Sequence, residues 1–254
     1  MASYNDYDIQ IRDMMTGEKM SASGGKAYIT TSGGTAKATL YNPDNDYAAL
    51  SNPISITNGR LRFAVMGAST FGQAAEPQVD IYGMSAEGIA FQRRGWKPGM
   101  NTISVDNTAV THTLIVPFNI ADTTAAAETD TGFDFTAGMA INPLNLSVYT
   151  KTLDATETID VGLLSSESGG DADGFAVTLS VATAVVVTPT LAASAETLGA
   201  LLRVAATADA GTGLVPRQHV ITSTATSLTY TLTAGTDTAA GFINIGYSRP
   251  IVPA

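Results

Sequence analysis

The chain has 254 residues, no cysteine, 24 glycines, 10 prolines and a net charge of −10 from 13 basic and 23 acidic side chains. These figures exclude disulfide or thiolate–zinc stapling, and they argue against nonspecific nucleic-acid binding because a polyanion would be repelled. No apolar run approaches the ~18 residues of a membrane span, and the polar, acidic start MASYNDYDIQIRDMM lacks the apolar core of a signal peptide. The chain is therefore expected to be made in the cytoplasm, with neither membrane nor nucleic acid as partner.

Taken in order, Tyr7, Ile9 and Ile11 alternate with Asp8, Gln10 and Arg12, which predicts a first strand after a short polar leader. The stretch from Thr16 to Lys26 reads as loop. Lys26 to Thr31 and Thr35 to Tyr41 flank Ser32-Gly33-Gly34 as a tight hairpin. In NPISITNGRLRFAV, Ile54 and Ile56 precede Asn58-Gly59, and Leu61, Phe63 and Val65 follow; both turn residues tolerate positive φ, so a second hairpin is predicted. Short strands follow at Gln78–Tyr82, Ile89–Gln92 and Thr102–Val105, with turns at Ser85–Gly88 and Lys97–Gly99. So many short strands describe a small β-sandwich.

Residues Asp106 to Thr113 are polar, and the boundary is placed there, giving an N-terminal domain 1–106 and a C-terminal domain 107–254. The first carries 9 basic and 10 acidic side chains, net −1; the second carries 4 and 13, net −9. A near-neutral half can approach another protein without long-range repulsion, whereas a strongly acidic half keeps copies dispersed. In the second half, strands are predicted on both sides of Pro117, which is expected at an edge or bend, with Thr123–Thr131 as a loop. Further strands are expected through Leu144, Leu146 and Val148, through Ile159, Val161 and Leu163 after a loop centred on Asp154, and through Phe175, Val177, Leu179 and Val181. A short helix is predicted over Ser194–Thr207, N-capped by Ser194 and weakened by Gly199. Beyond Val220 and Ile221, SLTYTLTAGTDTAAGFINIGY shows the clearest alternation in the chain and predicts a hairpin with one buried face; the prolines of SRPIVPA end it. The fold class is all-β, two β-sandwich-like domains with at most one short helix in the second.

Catalytic signatures are absent: the sequence holds no P-loop, GxGxxG, GxSxG or HExxH. The two histidines, His112 and His219, are far apart in sequence and nothing local places a nucleophile beside either. Asp44 with Asp46, and Asp171 with Asp173, match parts of calcium loops, but Phe175 and Ala182 fail the EF-hand pattern, leaving solvated turns or a weak cation site. Tyr41 and Tyr47 flank the Asp44 turn, where they either cover the core or stack on a sugar. Paired carboxylates for glycoside hydrolysis remain open, against a single tryptophan. That residue, Trp96, lies in the one basic cluster, Gln92 to Lys97. It either caps the core or, with Arg93, Arg94 and Lys97, anchors a partner, Trp and Arg being the residue types enriched at interface hot spots.

Residues 31–65, TSGGTAKATLYNPDNDYAALSNPISITNGRLRFAV, with VDIYGMSAEGIAF at 79–91, resemble domains of tailed-bacteriophage virion proteins. TKTLDATETIDVGLLSSESGGDADGF and LTYTLTAGTDTAAGFINIGY look like the same group, the head decoration (cement) or minor structural proteins. The resemblance implies a non-enzymatic structural protein of the capsid surface, made in the host cytoplasm, needing no cofactor. Its partners would be the major capsid protein and further copies of itself, as dimer or trimer. On that reading Tyr7, Ile9 and Ile11 of the leader strand, with Arg93, Arg94, Trp96 and Lys97, are the expected partner-binding residues. The other reading is a head fibre or tail-associated receptor or glycan binder, with exposed aromatic side chains in the second domain.

Overall fold

Period-two alternation dominates both halves, and the structure answers it with strands throughout. The computed structural model describes residues 4–20, 24–67, 77–123, 126–154, 156–182, 186–191, 196–205, 213–233 and 238–250. The chain divides into two units, Met1–Ala109 and Val110–Ala254, each built as stacked sheets. Among the described residues the helical content is confined to two 3₁₀ turns, Ile120–Asp122 and Ala200–Leu202.

In the first unit, β1 (Tyr4–Asp13), β2 (Lys26–Thr31), β3 (Leu40–Asn42), β4 (Ala48–Leu50), β5 (Ile54–Ser55), β6 (Arg60–Met66), β7 (Val79–Met84), β8 (Ala90–Trp96) and β9 (Thr102–Val105) form two sheets. One has the order β4-β3-β6-β1-β9 and the other β5-β2-β7-β8. The alternation in β1 puts Tyr7, Ile9 and Ile11 inward, where they meet Leu61 and Phe63 of β6 and, from the opposite sheet, Ile29, Ile81 and Trp96. Tyr7 and Phe63 stack at 4.8 Å. The buried Asp80 carboxylate accepts from Gly33 N at 2.9 Å and Gly95 N at 2.8 Å, tying the Ser32–Gly34 turn and the irregular end of β8 to the centre of the second sheet.

The predicted hairpins of this unit are turns that change sheets. Asn58 and Gly59 do adopt positive φ, 49° and 62°. Yet β5 pairs with β2, whereas β6 pairs with β1 and β3. The Ser32–Gly34 turn likewise returns only as far as the Thr30–Lys37 bridge before the chain crosses into β3.

The second unit comprises β10 (Thr111–Asn119), β11 (Glu128–Asp134), β12 (Ala140–Thr152), β13 (Thr158–Leu163), β14 (Asp171–Ser180), β15 (Val186–Val187), β16 (Arg203–Ala205), β17 (Leu214–Pro216), β18 (His219–Val220), β19 (Ser227–Leu232) and β20 (Ala240–Ser248). One sheet runs β10-β20-β12-β15, with β18 also on β12; the second runs β11-β19-β13-β14; β16 and β17 pair apart. Pro117 lies within β10, an edge strand, as its missing N–H requires. Strand begins at Glu128, inside the stretch read as loop.

Two expectations are corrected here. β19 and β20 are not a hairpin: β19 is central in one sheet, between β11 and β13, and β20 is central in the other, between β10 and β12. Alternation fixes which side chains face the core but not which strand lies alongside. Because β19 is interior, Thr229 is fully buried and its hydroxyl donates to Thr129 O at 2.9 Å. The helix predicted over Ser194–Thr207 is absent from its described part. Leu198 bridges Ala176 of β14, Gly199 N donates to Phe175 O at 3.0 Å, and a single 3₁₀ turn leads into β16. A Cβ on Gly199 would stand 2.2 Å from the Gly174 backbone, so this segment lies flat on β14 with no room for a helix. Ser194 and Thr207 themselves lie outside the described residues, as does the tail beyond Pro250.

Tyr230 of β19 points between the sheets to Phe118 of β10, with ring centroids 6.4 Å apart, and burial holds its phenol well above the ordinary value. Its hydroxyl meets no hydrogen-bond partner among the described residues. A buried unsatisfied hydroxyl costs free energy, so Tyr230→Phe is expected to leave stability unchanged or raise it by up to about 1 kcal/mol. Urea denaturation of the two proteins measures this; a loss above that size would reveal a bond to the hydroxyl.

Candidate functional site

Of the residues expected to meet a partner, most turn out to hold the first unit together. Tyr7, Ile9 and Ile11 are at most 1% exposed and belong to its core, so the leader strand cannot offer them to another molecule. Trp96 is buried, and its Nε1 donates to Met100 O at 3.0 Å across the turn between β8 and β9. Arg93 reaches the same corner: its guanidinium donates to Ser104 O of β9 at 2.7 Å. Because β8 and β9 are edge strands of opposite sheets, this pair of side chains closes that side of the sandwich and occupies a carbonyl that an edge would otherwise present. The exposed Arg94 bonds the Gln92 side chain at 2.8 Å once that amide is oriented oxygen-first. Lys97 is exposed on the turn.

The opposite side of the same unit is open. A cleft of about 450 Å³ lies there, lined by Leu50 of β4, Ile54 and Ser55 of β5, and Lys19, Arg60 and Arg62. Its connecting loop is pinned by Asn52, whose amide accepts from Ile29 N at 3.1 Å and donates to Ile29 O at 2.7 Å and Ala38 O at 2.9 Å. Arg60 donates twice to the Asp8 carboxylate at 2.6 Å, and Arg62 contacts Asp44 at 2.7 Å and Asp8 at 3.5 Å. The Arg60 bond holds Asp8 below the usual carboxylate range, and the Asp8 bond holds Arg60 above its own. Both members of that pair stay charged near neutral pH. Such groups recognise a partner's charge; they are poorly suited to passing protons, which needs values near the working pH.

The backbone contributes too. Ile11 N donates to Gly59 O at 2.8 Å, so alternate residues of β6 from Gly59 onward bond to β1, and Arg60, Arg62 and Ala64 turn their amides away from it. Arg60 exchanges both bonds with Thr57, and Ala64 pairs with Tyr41 of β3. Opposite Arg62, the register would place Pro43, which has no N–H, and β3 has already ended at Asn42. The Arg62 peptide thus faces the cleft as an open rung of the ladder. Pro43 marks that rung in the sequence, but only the pairing reveals it.

The remaining candidates resolve as follows. Asp44 is ion-paired, and its N–H donates to Asn42 Oδ1 at 3.0 Å, a turn geometry. Tyr41 and Tyr47 gather on Tyr4, with Tyr4 and Tyr47 stacked at 4.1 Å. His112 and His219 occupy one row of a sheet, through Tyr247 and Ile141, three strand spacings or about 14 Å apart. They cannot act on one substrate atom. Among the described residues no three acidic or imidazole groups converge as a metal site. A smaller recess of about 190 Å³ in the second unit is lined by His112, Asn142, Asn145, Gln218 and Tyr247 and carries no carboxylate or cation.

Searches of protein-family models, of curated proteins and of solved structures found no match to this chain.

With Trp96 acting as a staple of the first unit, Trp96→Ala is expected to destabilise that unit by about 3 kcal/mol and Arg93→Ala by about 1 kcal/mol, while Lys97→Ala stays within about 0.5 kcal/mol, all read by calorimetry. In the second unit, burial and the adjoining Asp173 carboxylate push Asp171 from 3.8 up to about 6. The fold therefore favours its protonated form: the contribution is fully present below pH 3.8 and lost as pH rises through about 6. Asp171→Asn should be the more stable protein at pH 7.5 by about 1 kcal/mol, the value reduced for the screening of a largely solvated group, with the difference vanishing in acid. Denaturation curves at both pH values test it, and a gain that does not depend on pH would refute it.

Proposed function

We propose that the chain is a structural virion protein that decorates a tailed-phage capsid, its first unit docking on the major capsid protein. The observation that carries this reading is the open side of that unit. There a mostly polar cleft offers fixed charges, the two apolar side chains Leu50 and Ile54, and one free backbone rung, a combination suited to an extended protein segment that adds hydrogen bonds along an edge while its side chains meet the guanidinium groups. The near-neutral charge of residues 1–106 and the resemblance of residues 31–65, which contain most of the cleft, support the same assignment. A shell repeats its binding sites many times, so a modest interface suffices where neighbouring copies also touch.

Cosedimentation of the purified chain with undecorated capsids tests it. Saturable binding at a fixed ratio to capsid protein is expected, weakened at least ~10-fold by Arg60→Glu with Arg62→Glu. Absence of binding, or binding indifferent to the double reversal, would overturn it.

A second reading, a head fibre or receptor binder for glycans, is favoured by the uncharged recess of the second unit. Its amides, with His112 stacked on Tyr247 at 5.6 Å, have the chemistry that holds neutral hydroxyls. Its test is a glycan array, where silence counts against it.

A further inference from the structure

The second unit is electrically two-faced. Residues 107–254 carry 13 acidic side chains against 4 basic, yet the strands β10, β12, β15, β18 and β20 of one sheet contain no carboxylate at all. The facing sheet holds six in its strands, Glu128, Asp130, Asp134, Asp160, Asp171 and Asp173, none of them buried.

One row on the outer face of the carboxylate-free sheet is apolar, while the row beside it holds Ile115, Asn244 and Ser147, with Asn244 Nδ2 donating to Ser147 Oγ at 3.2 Å. Leu114, Val116, Ile243, Ile245, Leu146 and Val148 point into the core, so their neighbours in each strand point out. In register, one outward row runs Pro117, Phe242, Tyr149, Val186 over four strands; Pro117 and Phe242 are already buried within the chain, so the exposed part of the row is Tyr149 and Val186. Tyr149 stacks on Phe242 at 6.2 Å and remains 36% exposed, and Val186 is 58% exposed. Ile115 stands one row away, and Lys151 is the only charge on the strands of this sheet.

We infer that this face is covered by the same face of a second copy of the chain. Two units of net charge −9 repel, and contact through the sheet whose strands carry no carboxylate keeps the six strand carboxylates of one copy away from those of the other. Stacked sheets lie about 10 Å apart, so the two acidic sheets then stand about 30 Å from each other, beyond the ~8 Å screening length at physiological salt. The contact is isologous: the Tyr149–Val186 end of the row meets its own counterpart across a two-fold axis.

The inference does not rest on capsid decoration, because it is read on the free protein. Light scattering and sedimentation of the full chain should give a mass of two or more copies of 26.2 kDa, falling to one copy in Tyr149→Asp with Val186→Asp, at unchanged circular dichroism and melting temperature. Asp130→Lys, on the opposite sheet, should keep the wild-type mass. Since the sequence has no cysteine, Val186→Cys supplies an arm that leaves the sheet intact: a short bismaleimide should link two copies. A wild-type monomer at every concentration, an oligomer that survives the double aspartate, or a Val186→Cys protein that fails to cross-link would each overturn it.

Discussion

Everything in this molecule depends on sheets meeting face to face over a dry layer of side chains. In each unit the chain achieves this by sending most successive strands to opposite sheets, so that segments adjacent in sequence face each other across the core, while β3–β4, β7–β8 and β13–β14 pair edge to edge. β5 and β6, joined by the Asn58–Gly59 turn, divide in this way, as do β19 and β20. Burying both central strands of the second unit removes Leu228, Tyr230, Leu232, Ile243 and Ile245 from water together, each contributing about 1.5 to 3 kcal/mol before ordering is subtracted.

A sandwich built like this has four edges to manage, and the first unit treats its two sides differently. Where β8 meets β9, Trp96 spans the turn and Arg93 occupies a main-chain acceptor; that side is sealed from within. Where β4 meets β5, the ladder stops at Pro43, and the open Arg62 peptide is surrounded by ion-paired side chains. Charges beside an open edge discourage pairing with an arbitrary strand. They leave it available to a partner whose own charges can replace Asp8 and Asp44, and specificity of that kind comes from the repulsive groups as much as from the attractive ones.

How much of this the sequence discloses follows from what alternation encodes. The set Tyr7, Ile9, Ile11 declares its inward face, and the structure buries all three; for the same reason they cannot serve as a surface. Period two is silent about which strand lies beside which, and so the turns at Asn58–Gly59 and within residues 227–247 have the local pattern of hairpins while their strands pair elsewhere. Leu198, Leu201 and Leu202 are spaced for a helix, yet the close approach of Gly199 to Gly174 holds the chain flat on β14, a tertiary demand that no local pattern carries. Trp96 and Arg93 have the composition of a binding anchor. Composition cannot distinguish an anchor from a staple, because both need a large ring and a planar donor; only the acceptors at Met100 and Ser104 decide.

The charge asymmetry of the second unit is visible in the sequence as a total and invisible as a pattern, since strands of the two sheets are interleaved along the chain. Once the strands are assigned, the six carboxylates that lie on strands all fall on one sheet. Self-repulsion alone would favour spreading them over both faces, which lowers the charge density on each. Concentrating them on one sheet raises that density and costs stability, as the elevated Asp171 carboxyl beside Asp173 records. Such a cost is sustained when the other face must stay free of charge, and the exposed, uncharged Tyr149 and Val186 on that face suit a buried contact. In the dimer proposed above, the acidic sheet and the neutral sheet would be two parts of one device: the first would keep paired copies from associating further through their outward sides, and the second would bring them together.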